Sequence, residues 1–108
     1  MKKKRARHEE EDSRIRGEHY VLRLYVSGAT PQSTLAIVNV KKICENQLQG
    51  RYSLEVIDIY QELDLAKRDQ VIAVPMLIKR SPHPLRRLIG DMSNTDRVLD
   101  GLGVRTGE

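Results

Sequence analysis

A single cysteine stands in these 108 residues, and phenylalanine and tryptophan are missing altogether. One thiol excludes an intramolecular disulfide and a multi-cysteine metal centre, and such sparing use of cysteine fits a reducing cytosol, so a cytoplasmic protein is expected. With four tyrosines as the only aromatics, the core has to be built from Leu, Ile and Val. A core of that kind in one small domain has modest stability, which association could supplement. No apolar run approaches the roughly 18 residues of a membrane span, and no membrane partner is expected. The basic start KKKRAR is followed by Glu9-Glu10-Glu11-Asp12, where a signal peptide would need its apolar segment. Gly28 and Gly50 read as turns, and neither belongs to a phosphate-cradling loop, so the reading holds no nucleotide or other cofactor.

What is present is charge. Nineteen Lys and Arg against fifteen Asp and Glu leave a net charge of +4, which favours solubility and an acidic partner. The excess is spread evenly, with seven basic and five acidic side chains in residues 1–19 and twelve and ten in residues 20–108. Residues 1–18 have almost no apolar content and cannot offset chain entropy by burial, so they read as a disordered charged arm. A nucleic-acid role for KKKRAR is the rival reading; the acids beside it partly neutralise it, and nucleic acid is not the expected partner. The domain itself is expected over residues 19–104, with a short flexible tail at 105–108.

HYVLRLYVSG opens the domain as a strand whose two alternating sets are both largely apolar, the pattern of a central strand covered on both faces. Thr30-Pro31 then supplies a helix N-cap and a proline at the first helical position. Ile37, Val40, Cys44 and Leu48, flanked by Ala36 and Ile43, trace one helical face as far as Gly50. YSLEVIDIY resumes strand character, and a strand, helix and strand over about 40 residues make a parallel βαβ unit the default. QELDLAKRDQ reads as a short helix ending at Asp69-Gln70. For VIAVPMLIKR two readings stand: a strand on either side of Pro75, or an extension of the preceding helix through Val71–Val74, because short apolar runs fit both periods. Ser93-Asn94-Thr95-Asp96 reads as a capping box opening a helix with Val98, Leu99 and Leu102, which Gly101 and Gly103 weaken or end.

The order βαβαββα is that of a thioredoxin-like α/β single domain, and Val74-Pro75 falls where that fold places a cis-proline beside its active site. The thiol chemistry is absent. Such a site needs a nucleophilic cysteine at the start of the first helix and a resolving one three residues on, and the corresponding loop reads Ser27-Gly28-Ala29-Thr30-Pro31-Gln32-Ser33. Cys44 lies about four turns further along on the apolar face and reads as a core residue; the alternative is a redox protein using this one thiol. His8, His19 and His83 have no ligand spacing, so no metal site is expected. Asp58, Glu62 and Asp64 could bind a cation or serve as acid and base, though strand-end and helix N-terminal charges explain them as well. Lys79-Arg80 and Arg86-Arg87 flank the Ser81–Pro84 bend of an expected hairpin, fitting phosphate, a partner's carboxylates or a charged edge that discourages aggregation.

Four stretches together, YVLRLYVSGATPQS at 20–33, YSLEVIDI at 52–59, LAKRDQVIAVPML at 65–77 and PLRRLIGDMSNTDRVLDGLG at 84–103, resemble the circadian clock family KaiB over residues 20–103. The resemblance implies a non-enzymatic adaptor that exchanges a thioredoxin-like monomer with a ground-state fold, βαββααβ, assembled as a homodimer or homotetramer. The switched form of such proteins binds the first ATPase domain of the hexameric ring protein KaiC, and in full clocks recruits KaiA. The same resemblance puts Pro75, Pro82, Pro84, Gly101 and Gly103 in the region that switches, and Arg86 and Arg87 on the partner-binding surface. Ser53 and Glu55 match positions usually held by alanine and lysine and implicated in KaiA contact. That charge reversal counts against KaiA as a partner and favours a KaiB–KaiC system without it. Glycine at 103, where cyanobacterial members have aspartate, together with a chain that stops at Glu108, counts against a stable ground-state tetramer. The thioredoxin-like arrangement is therefore the expected main form.

Overall fold

The computed structural model describes residues 18–104; the charged arm expected at 1–18, apart from Glu18, and the tail expected at 105–108 lie outside the described residues. The elements follow the expected order: β1 (Tyr20–Val26), α1 (Pro31–Gln47), β2 (Tyr52–Asp58), α2 (Leu63–Arg68), β3 (Met76–Ser81), β4 (Arg86–Ile89) and α3 (Thr95–Leu102). The four strands form one sheet in the order β2-β1-β3-β4. β1 and β2 are parallel, as the βαβ reading requires, while β3 runs antiparallel to both β1 and β4.

The alternation in β1 places two apolar layers. Tyr20, Leu22, Leu24 and Val26 point to the face covered by α1 and α3, where Ala36, Val40, Ile43, Cys44, Leu48, Val98, Leu99 and Leu102 complete the larger core. Tyr25 points the other way and meets Ile57, Met76, Ile78 and Ala66, a smaller core beneath α2. β1 is thus fully buried on the first face and on the second only at Tyr25, with Val21 exposed, and truncating a fully buried residue such as Leu24 would cost about 2–5 kcal/mol. α1 begins where its sequence says: the Thr30 hydroxyl accepts from the Ser33 N–H, and Pro31 takes the first turn. It turns Ser33, Ala36, Val40, Ile43 and Cys44 inward and ends before the left-handed Gly50, φ +76°.

Three details differ from the sequence reading. Val71–Val74 is neither strand nor an extension of α2, because Gln70 takes a left-handed φ of 59° and turns the chain out of the helix; strand pairing starts only after the cis Val74-Pro75 bond. The second strand stops at Asp58, whose carboxylate accepts from the Tyr60 N–H and starts a turn there, although the Ile59 N–H still donates to the Val26 carbonyl of β1. Asn94 rather than Ser93 caps α3, its side-chain oxygen accepting from the Arg97 N–H while Ser93 donates its own N–H to Asp91. Gly101 lies inside that helix, and Gly103, φ +74°, ends it.

Candidate functional site

At the start of α1, where a thioredoxin keeps its thiols, hydroxyls do the capping. The Ser33 hydroxyl is buried and accepts from the Ser27 N–H at 3.0 Å, tying the loop to the helix it introduces. Cys44 is fully buried in the larger core, and burial, helped by the Glu45 charge, pushes its thiol up to about 11. It has neither the exposure nor the thiolate character of a reactive cysteine.

The polar centre lies on the opposite face of the sheet. Cross-strand pairing places Glu55, Arg23, Ile78 and Arg87 in one row from edge to edge, and Asp69, just past α2, sits over that row. Its carboxylate accepts from Arg23 Nη1 at 2.9 Å, from the Tyr25 hydroxyl at 2.5 Å and from Arg80 Nη1 at 3.1 Å. Arg87 donates from Nε and Nη2 to the Asp69 main-chain oxygen, at 3.3 and 3.1 Å. One residue thus ties the end of α2 to β1, β3 and β4. Burial pushes the Asp69 carboxyl up, but the bonds from Tyr25 and Arg23 and the charges of Arg23 and Arg80 outweigh it and hold the group below its ordinary value. Burial and the same carboxylate push the Tyr25 phenol up to about 12.

Beside this hub an open groove of about 710 Å³ runs between the end of α2 and β4, lined by Lys67, Gln70, Val71, Ile72, Met76, Arg87 and Ile89. A smaller hollow of about 280 Å³ adjoins it along the Val71–Val74 segment, reaching Leu63 and Ile59. Ile72 is 84% exposed and Ile89 41%, so the rim is apolar while the charged side chains in its lining, Lys67 and Arg87, are both basic.

The residues singled out from sequence fall in different places. Arg87 joins the hub and the groove, and Glu55 joins the same row through Arg23 Nε at 3.1 Å. Ser53 is exposed on β2, an edge strand, with its hydroxyl 2.8 Å from His19 Nε2. Arg86 pairs with Lys79, in the row next to that of Arg87, so these neighbours face opposite sides of the sheet. Pro75 is buried beside the groove, the Ser81-Pro82 and His83-Pro84 bonds at the hairpin tip are cis, and Gly101 and Gly103 sit on α3 and its cap. Asp58, Glu62 and Asp64 behave as turn and helix-start charges, and among the described residues no group of three His, Cys, Asp or Glu is placed to hold a metal ion. Asp69, Arg23 and Tyr25 escaped the sequence reading as site residues, while Lys79, expected to meet a partner beside the hairpin bend, is buried against the Leu102 carbonyl. The signal for the hub was Arg23 itself, a charge inside a central strand, which needs a carboxylate somewhere.

Fold and site together define a thioredoxin-like domain whose polar centre is a carboxylate gripped by guanidinium groups instead of a thiol pair. Solved structures agree on the fold: the N-terminal domain of Synechococcus elongatus SasA superposes with a TM-score of 0.65 at 22% identity, covering 85% of this chain and 90% of that one. Mitochondrial thioredoxin 3 of Saccharomyces cerevisiae gives 0.64 at 17% identity, covering 87% and 86%. The KaiB domain family model matches residues 23–104, and the chain belongs to the KaiB family. It is 46% identical over 89 residues to the circadian clock oscillator protein KaiB of Synechococcus elongatus, covering 82% of this chain and 87% of that protein. It is also 44% identical over 84 residues to the circadian clock protein KaiB3 of a Synechocystis species, covering 78% and 82%.

Proposed function

We propose that this chain is a non-enzymatic regulatory adaptor of a circadian or timer-like stress-signalling system, cytoplasmic, which binds a KaiC-type hexameric ATPase in its thioredoxin-like form. The groove beside Arg87 carries this reading: an apolar rim with basic walls and no reactive thiol suits protein docking rather than chemistry. Kinship with circadian clock proteins over most of the chain supports the choice of partner. Burial of Cys44 speaks against the single-thiol redox alternative. Glu55 is engaged by Arg23, which supports a system without KaiA contact through Ser53 and Glu55. Exchange with a ground-state fold through Pro75, Pro82, Pro84, Gly101 and Gly103 belongs to the same reading. Such a two-state protein moves from 1:99 to 99:1 when a partner favours one state by about 5.5 kcal/mol, which one protein interface can supply.

The test mixes the purified protein with the KaiC-type ATPase of the same organism and ATP for a day, then separates them by size exclusion. A co-eluting complex that the unaltered protein forms and an Arg87→Ala variant forms at least ten-fold more weakly is expected. Absence of any complex would overturn the reading.

A further inference from the structure

The groove has one feature that docking in general does not demand. Arg87 spends Nε and Nη2 on the Asp69 carbonyl, with Nη2 also 3.5 Å from Gln70 Oε1, while among the described residues its Nη1 donates no hydrogen bond. The guanidinium is therefore held through Nε and Nη2, and Nη1 is left to give a carboxylate a charge-assisted hydrogen bond. Its backing is not free to drift, because Asp69 is itself fixed by Arg23 and Tyr25 from β1 and by Arg80 from β3. The Asp69 side chain is only 12% exposed, so its bonds from Arg23 and Tyr25 are partly shielded from competing water, while that from Arg80 lies at the surface. Val71, Ile72 and Ile89 line the same groove as Arg87, and Lys67 adds a second positive charge to the lining.

From this arrangement we infer that Asp69 is a positioning residue: it sets Arg87 so that its Nη1 takes a carboxylate of a partner segment whose adjacent apolar side chain seats against Val71, Ile72 and Ile89. The occupant is thus an acidic, apolar-anchored peptide segment, and the inference rests on the adaptor reading only in assigning that segment to the ATPase. The positioning is a property of the protein alone. A charge-bearing carboxylate is required, since a neutral amide leaves the cationic walls uncompensated.

Two measurements on the isolated protein test it without the ATPase. The Arg87 Nε–Hε resonance of the unaltered protein should be resolved and slow to exchange with solvent, should collapse toward the solvent-averaged position in Asp69→Asn, and should move part of the way in Tyr25→Phe. The second variant keeps the carboxylate and its charge, and serves if Asp69→Asn does not fold. The peptides acetyl-Asp-Leu-Asp-amide and acetyl-Asn-Leu-Asn-amide, titrated into the millimolar range, should differ: the acidic one shifts the Arg87 signal and the Ile72 and Ile89 methyls, the neutral one binds at least ten-fold more weakly. An Arg87 signal that ignores both variants, or equal shifts from the two peptides, would overturn the inference. If both results hold while the ATPase forms no complex, the adaptor reading fails and the carboxylate groove stands.

Discussion

Three donors from two strands converge on the Asp69 carboxylate, and its worth can be read from pH. Removing its charge takes the paired carboxylate from Arg80 and leaves Arg23 with Glu55 alone, so Asp69→Asn should lower stability by about 2 kcal/mol at neutral pH. The folded carboxyl titrates below its ordinary value of 3.8. A group depressed in this way contributes stability that is fully present above the unfolded value and is lost as pH falls through the folded one. Urea unfolding of the two proteins from pH 7 down to pH 3 should therefore converge: the gap stays constant to about pH 5 and narrows below it. A gap that persists unchanged at pH 3 would mean that the side chain acts through shape and not through charge. Nothing in KRDQ singles this aspartate out beforehand. Its partners come from β1 and β3, and only strand register brings Arg23, Tyr25 and Arg80 under the end of α2.

At the scale of elements, α3 is held by contacts that depend on two glycines and a buried lysine. Lys79 is 3% exposed, and its ammonium donates to the Leu102 carbonyl at 3.0 Å, placing a positive charge at the helix C-terminus where the helix dipole favours it. Gly103 ends the helix in left-handed geometry directly over that ammonium: a Cβ there would lie 3.6 Å from Lys79 Nζ. Gly101 lets the helix approach β4, since its Cβ would fall 2.5 Å from a Leu88 methyl. Alanine at 101 gains about 1 kcal/mol of helix preference and loses it again to the collision with Leu88. A double-mutant cycle should show this coupling: Gly101→Ala raises stability by about 1 kcal/mol in a Leu88→Ala background and gains nothing in the native one. Additive effects would mean that Leu88 moves aside freely. The elements were well legible where a local signal exists, as at Thr30-Pro31 or in the two-sided apolar pattern of β1. They were illegible at Val71–Val74, where four residues with apolar character fit either period and a left-handed Gln70 decides the matter. The cap of α3 slipped by one residue for a similar reason: Ser93 and Asn94 are both good caps, and Asp91 claims the Ser93 N–H.

For the molecule as a whole, the two cores divide the chain unequally. The larger unites β1, α1 and α3, whereas the smaller joins β1, β2 and β3 beneath α2 and depends on Asp69 to anchor the end of that helix. Local preferences in the second half agree with the arrangement described: Asn94 and Gly103 cap α3 at its two ends, and Met76–Ile78 is buried between β1 and β4. Consistency between local signals and global packing is what favours one fold over a competitor. The isolated protein should accordingly populate the thioredoxin-like form as its main state, with strand-type backbone shifts over Met76–Ser81, helical shifts over Thr95–Leu102 and a monomer's tumbling time. Asp69→Asn loosens the anchor of the second half and leaves the larger core untouched. It should therefore shift any exchange toward the alternative, seen as new slowly exchanging peaks for residues 65–103 and none for residues 20–50. Helical shifts across Met76–Ile78 in a tetramer of the unaltered protein would reverse the ranking of the two folds, and would place the cost of switching on the partner that selects the one described here.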